Sequence, residues 1–249
     1  MSDGEATVRL DKILANLGYG SRADVKKWIA WGEVAIAGDD GSIRVLNDPG
    51  AKVKPSAVRF RREPLERTEG ICALLHKPVG YVCSHDEDEG PRIYDLLPER
   101  WSRRNPQIVS IGRLDKDSSG LIVVTDNHPI VHRLTSPKHH VEKTYVVTLD
   151  DEPEPHTIES FASGMLMLEK EDKPCLPATL SLHGTNDDGT YTCEVVMTEG
   201  RFRQVRRMFG ACGRTVLTLR RTHFGQWSLG DLPEGQWIDA PAIASREQK

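Results

Sequence analysis

No stretch of this 249-residue chain is apolar for long enough to cross a bilayer as a helix. Its apolar runs, such as Ile71 to Leu75 and Leu121 to Val124, have the length of strands. The residues Met1, Ser2, Asp3, Gly4 and Glu5 carry acid where a secretory leader carries base, and no apolar segment follows. The expectation is a chain that starts here, avoids membranes and works in the cytoplasm. The five cysteines (Cys72, Cys83, Cys175, Cys193 and Cys212) are odd in number and contain no Cys-x-x-Cys pair, which speaks against a zinc knuckle or a redox couple. They are expected to stay reduced. There is no internal repeat, no low-complexity tract, no Walker-type phosphate loop and no nucleophile elbow. An overall excess of base is also missing: the net charge of −4 speaks against a positive surface spread evenly over the molecule.

What is present is a globular composition, 38% hydrophobic and 28% charged, long enough for one large domain or a small domain joined to a medium one. Charge is sorted along the chain. From Glu199 to Arg221, seven arginines (Arg201, Arg203, Arg206, Arg207, Arg214, Arg220 and Arg221) face one acid, while acid gathers in Asp86 to Glu89, Asp150 to Glu154 and Glu169 to Asp172. Separated blocks of this kind are compatible with a polyanion-binding groove on an acidic protein.

Leu10, Ile13, Leu14 and Leu17 recur at helical spacing and predict a short amphipathic helix, ended by Gly18 and Gly20. Ser21 then suits the N-cap of a second helix with Asp24 in its first turn and Val25, Trp28 and Ile29 as its apolar stripe. Gly32 stops that helix, and Val34 to Ile36 read as a strand entering a turn at Asp39, Asp40 and Gly41. Arg9, Lys12, Arg22, Lys26 and Lys27 fall outside the apolar stripes; a solvated surface is the plain reading of such residues.

Residues 59–70 lack periodicity and carry charge, Pro64 and Gly70, so they read as a linker. The boundaries assigned are residues 1–62 for a small first domain, 63–70 for the linker and 71–249 for a larger domain. Strands are expected at Ile71 to Leu75, Ile108 to Ile111, Leu121 to Thr125, Val141 to Leu149 and Tyr191 to Met197. After Glu199-Gly200, Phe202, Val205, Met208 and Phe209 mark the buried face of a helix, with Arg203, Arg206 and Arg207 on another. Few long helices separate the strands, so the fold class is α+β with a mixed, largely antiparallel sheet.

The loop from Gly112 to Gly120 lies between two of these strands and holds Asp115 and Asp117. An aspartate beside glycines is usually a turn former, and a strand tyrosine such as Tyr145 is usually core. The two aspartates stand too close in one loop to flank a sugar as separate acid and base. His139-His140 tempts as a metal pair, but adjacent side chains diverge and no further ligand sits at metal spacing.

Context changes the weights. The run Arg9 to Leu14, continued by Ser21-Arg22-Ala23 and Gly32-Glu33-Val34, resembles the S4 RNA-binding domain, which implies that Arg9, Lys12, Arg22, Lys26 and Lys27 meet RNA. The run Gly112-Arg113-Leu114-Asp115 through Asp126 resembles the signature of the pseudouridine synthases. Lys77-Pro78-x-Gly80, Lys143-Thr144-Tyr145 and Glu199-Gly200-Arg201-x-x-Gln204-Val205-Arg206-Arg207-Met208 follow in that family's order and spacing. The resemblance spans nearly the whole chain, in particular the branch that modifies ribosomal RNA and carries an S4 domain in front. It implies that Asp115 is the nucleophile that frees a uridine base to rotate and rejoin its sugar through C5, without cofactor or metal. It further implies that Tyr145 packs on the flipped base and that Arg206 pairs with Asp115, favouring the charged carboxylate. Arg113 is the candidate to fill the gap the base leaves, and Arg203 and Arg207, with Arg220 and Arg221, form a candidate phosphate track. Thr135 to Tyr145 and Gly80 to Ser84 look most like the small-subunit (16S) branch. The alternatives are a large-subunit (23S) enzyme and a non-catalytic RNA-binding or ribosome-assembly factor. A monomer acting on ribosomal RNA or an assembly intermediate is expected.

Overall fold

A computed structural model describes residues 5–38 and 40–240. Residues Met1 to Gly4 and the turn residue Asp39, which enter the sequence reading above, lie outside the described residues. In chain order the elements are β1 (Val8–Arg9), α1 (Leu10–Asn16), α2 (Arg22–Ala30), β2 (Val34–Ala37), β3 (Ile43–Val45), β4 (Lys52–Val53), β5 (Val58–Phe60), β6 (Glu63–Pro64) and β7 (Cys72–Lys77). They continue with α3 (Glu99–Ser102), β8 (Val109–Ile111), β9 (Ser119–Thr125), α4 (His128–Thr135), β10 (Lys143–Leu149), α5 (His156–Ala162) and β11 (Thr179–Thr185). The last are β12 (Tyr191–Met197), α6 (Gln204–Ala211), β13 (Val216–Phe224), β14 (Trp227–Ser228) and β15 (Trp237–Asp239).

The chain forms two compact units. One takes in the described residues up to Ile71 together with Leu97–Val109 and Thr125–His128; the other takes in Cys72–Leu96, Ser110–Val124 and the described residues from Pro129 on.

In the first unit, α1 and α2 bury Leu10, Ile13, Leu14, Val25 and Ile29 against Val34 and Val58 of the sheet β3-β2-β5-β6. Ser21 caps α2 in a capping box: its hydroxyl accepts from the Asp24 amide while the Asp24 carboxylate accepts from the Ser21 amide. The stretch read as a linker is structured at its start. Strands β5 and β6 form a hairpin, and Leu65 joins the core. Its two-residue turn, Arg61-Arg62, has positive φ at both positions, 53° and 74°. Such turns are normally announced by Asn-Gly or Asp-Gly, so two arginines give the sequence reader no signal. The Arg61 guanidinium meets Glu33 at 3.0 Å.

The second unit is built on a sheet in the order β11-β12-β10-β13-β9-β7-β15, with β14 beside β13 and β8 beside β9. Most strand pairings are antiparallel, and β13 runs parallel to β9, so the α+β class and the mixed sheet both hold. Every residue of β9 is buried, while β12 alternates buried and half-buried side chains along its length. Leu74, Ile111, Leu121, Val123 and Phe224 form a core on this sheet. All five cysteines are free thiols. Among the described residues no helix is long and apolar enough to cross a membrane.

Candidate active site

The loop 112–118 leaves β8 and returns into β9, so both of its ends are anchored in the sheet while its tip is reachable. Gly120 allows the return. The parallel register sets Gly120 opposite Arg221, and a Cβ there would stand 2.3 Å from the Arg221 carbonyl oxygen and 2.5 Å from its nitrogen. Only a residue without a side chain lets β9 come this near β13.

Lys77, at the end of β7, ties the loop down from beneath. It is fully buried, and its ammonium donates to the carbonyls of Ser118 at 2.6 Å and Pro78 at 3.0 Å. Burial lowers its pKa to about 8, against the opposing pull of Cys83, Asp117 and Asp115. The Cys83 thiol lies against the backbone of Leu114 on the same loop, accepting from its amide at 3.5 Å.

The loop opens into a cavity of about 970 Å³ lined by Asp115, Arg113, Tyr145, Phe202, Arg203 and Arg221, among others. The Asp115 carboxylate has neither a hydrogen bond nor an ion pair within 4 Å among the described residues. Tyr145, 8% exposed, sits on β10 between β12 and β13, where the register shifts between Thr144 and Tyr145. Such irregularities re-aim side chains next to functional sites.

Here the structure departs from the sequence reading. Arg206 does not pair with Asp115. Its guanidinium donates to the carbonyl of Asp117 at 2.9 Å and of Val216 at 2.8 Å, and stands 3.5 Å from the Asp117 carboxylate. Arg203 meets the same carboxylate at 2.6 Å. Burial raises the Asp117 carboxyl, but the Arg203 hydrogen bond and the charges of Arg206 and Arg203 outweigh it and hold it below its ordinary value. Arg203, the N-cap of α6, and Arg206 within the helix both fall on the second aspartate and leave the first one open. Arg207 stands outside the cavity wall, bound to Glu171 at 2.8 Å. Arg113 is exposed at the cavity and Arg203 lines it, so of the three predicted substrate-binding arginines the structure brings two to the site.

Arg221 was read as part of a surface phosphate track and is instead 2% exposed. Its Nε donates to the Leu121 carbonyl at 2.8 Å and its guanidinium lies 5.1 Å over the Phe224 ring, but Nη2 is buried with no hydrogen-bond partner. A buried donor left unsatisfied is costly, and Arg221 is among the residues that line the cavity. Lys143, also on the cavity wall, has its pKa lowered to about 8, first by burial and then by the Arg221 charge, with Glu199 opposing. Lys77, Lys143 and Arg221 therefore set positive charge around the loop from inside the fold. The signal in the sequence is a lysine or arginine at the end or in the middle of an otherwise apolar strand. Phe202, expected on the buried face of α6, is 76% exposed. The helix starts only at Gln204, with Arg203 in the left-handed region as its N-cap, so Phe202 lies off the helical stripe.

Among the described residues no group of three metal-ligating side chains occurs, and His139-His140 forms no such site.

A family model described as RNA pseudouridylate synthase matches residues 71–211, more than half of the chain, and this chain belongs to that family. Its relatives narrow the likeness. It is 39% identical to ribosomal small subunit pseudouridine synthase A of Pasteurella multocida (strain Pm70), over 96% of this chain and 99% of that one. It is 34% identical to the protein of the same name from Escherichia coli (strain K12), over 92% of this chain and 95% of that one. A solved structure titled as a pseudouridylate synthase superimposes with a TM-score of 0.61 at 34% identity, covering 94% of this chain and 96% of the other.

Proposed function

We propose that this chain is an isomerase that converts a uridine of ribosomal RNA to pseudouridine, with the small-subunit (16S) RNA as its substrate. The observation that carries the reading is the unpaired Asp115 carboxylate, set in a cavity with an aromatic ring, Tyr145, and a buried guanidinium, Arg221. The names of relatives 34–39% identical over almost the whole chain support the substrate.

The Asp115 carboxylate adds to the target nucleotide, the bond from N1 to the sugar breaks, the uracil turns and bonds to the sugar through C5, and Asp115 is released as a carboxylate while the proton lost from C5 is balanced by one gained at N1. The product has the atoms of the substrate, so the conversion calls for no redox partner. An unpaired carboxylate is free to act as a nucleophile, which a carboxylate locked in two arginine contacts, as Asp117 is, could not. A base inside a helix is out of reach and must be extruded at a cost of a few kcal/mol. Tyr145 offers it a face, and the exposed Arg113 can fill the place it leaves.

The first domain, residues 1–62 by the sequence boundaries, is proposed to dock on structured RNA as an S4-like module. Arg9, Lys12, Arg22, Lys26 and Lys27 are all exposed there, which supports a phosphate-binding surface. The protein is proposed to act as a monomer in the cytoplasm, on ribosomal RNA or an assembly intermediate.

The deciding experiment incubates unmodified small-subunit RNA with wild-type protein or Asp115→Asn and maps pseudouridine. One modified uridine with the wild type and none with the variant is expected; equal product from both would remove Asp115 as nucleophile, and product only on large-subunit RNA would move the substrate. For the docking surface, Arg22→Ala with Lys26→Ala should lower the slope of log affinity against log salt by about 1 to 2. An unchanged slope would refute that role.

A further inference from the structure

Phe202 is the most exposed large apolar side chain among the described residues, at 76%, and it forms part of the wall of the Asp115 cavity. Burying a phenylalanine is stabilising, and the fold forgoes that gain here. The ring is nonetheless carried on a braced backbone. On one side Arg201 is clamped: its Nε meets Glu199 at 2.7 Å, its Nη1 donates to the Lys173 carbonyl at 2.7 Å, and its amide donates to Gln204 Oε1 at 2.8 Å. On the other side Arg203 has φ 48° and ψ 33°, a left-handed conformation unusual for arginine, held by its 2.6 Å contact to Asp117. The carbonyl of Phe202 itself accepts from Arg207 at 3.2 Å. The Arg201 side chain and the Phe202 carbonyl are thus held by hydrogen bonds, while the aromatic ring is left exposed.

The surroundings choose the partner. Arg113 and Arg203 line the same cavity, so an aromatic face stands among cations, the combination that binds single-stranded nucleic acid by stacking bases and neutralising phosphates. The cavity volume of about 970 Å³ lies at the top of the range for small-ligand pockets, roughly 300–1,000 Å³, and so has room beyond one extruded base. We infer that Phe202 stacks on the base of a nucleotide adjoining the target uridine and holds the strand once that uridine has left its stack. This rests on the reading of the chain as an RNA pseudouridine synthase.

The test starts by mapping the uridine modified by the wild-type protein. A short RNA around that position then carries 2-aminopurine on either side in turn, and binding is followed by fluorescence in the Asp115→Asn background with Phe202, Phe202→Ala, Phe202→Leu or Phe202→Trp. Loss of one stacked base should weaken binding by about 5- to 150-fold in Phe202→Ala, with Phe202→Trp close to the parent. One of the two fluorescent positions should be quenched by Phe202 and Trp and not by Ala. The exposed ring makes the melting temperature of the alanine variant the same as the parent's.

Equal affinity and equal quenching with alanine would overturn the inference, as would leucine matching phenylalanine, which would make the contact merely apolar. A lowered melting temperature restored by leucine would make Phe202 structural. A defect seen on assembly particles but not on naked RNA would point to a protein contact instead. Pseudouridine formation with unchanged binding in Phe202→Ala would remove only the stacking role, whereas no pseudouridine from the wild type on either subunit's RNA would remove the underlying function as well.

Discussion

Replacing Lys77 by methionine keeps the length of the side chain and deletes the group that fastens the Asp115 loop to β7. The variant leaves the Ser118 and Pro78 carbonyls without their donor, at about 1–3 kcal/mol each. Against this it escapes the burial of a charge: a fall from 10.5 to about 8 corresponds to about 3 kcal/mol against the charged form. The two effects oppose each other, so the net change lies between a gain of about 1 kcal/mol and a loss of about 3 kcal/mol, a fall of at most about 12 °C in melting temperature for a chain of this size. The loop, however, loses its tether within a few residues of Asp115, and a displacement of about 1 Å at a reacting group costs roughly 100-fold in rate. Single-turnover pseudouridine formation should fall by about that factor while calorimetry records a modest shift. A rate within twofold of wild type, with the melting temperature lowered, would refute the tether.

The same lysine makes a pH prediction whose sign follows from its lowered pKa. Below about pH 8 it is charged in both the folded and unfolded chain, and its burial penalty is present in full. Between about 8 and 10.5 the folded form releases the proton while the unfolded form keeps it, so Lys77 adds stability as pH rises through that window. Urea melts at pH 7.5 and 9.5 should therefore show wild type gaining relative to Lys77→Met; a constant difference would place the amine in contact with water. Gly120→Ala should cost about 2–6 kcal/mol, because its Cβ would press on the Arg221 backbone and its φ of +111° suits only glycine. A melting temperature within 2 °C of wild type, or about 1 kcal/mol, would show that β9 and β13 can separate freely.

Local patterns survived folding because they depend on neighbours in sequence. The stripe of Leu10, Ile13 and Leu14, the Ser21 cap with Asp24, and the alternation along β10 and β12 each became the element expected. The hairpin at Arg61-Arg62 was missed because its turn lacks the residues that normally mark positive φ. The apolar spacing puts Phe202 on the helix, but α6 starts only at Gln204 and the left-handed Arg203 breaks the register.

The motif around Asp115 and the ring at Tyr145 could be found in the chain itself, since each is a short run whose order and spacing carry the likeness to a family. The sequence by itself thus determined the loop that bears the carboxylate and the strand that bears the ring. Only the tertiary structure decided which charges surround them. Seven arginines lie within 23 residues, yet Arg206 and Arg203 fall on Asp117, Arg207 on Glu171, and Arg221 goes inside with one nitrogen unpartnered. Ion pairing depends on the few ångströms separating side chains from distant segments, and those separations are set by strand register and by where a helix begins. Neither can be counted from composition or spacing along the chain.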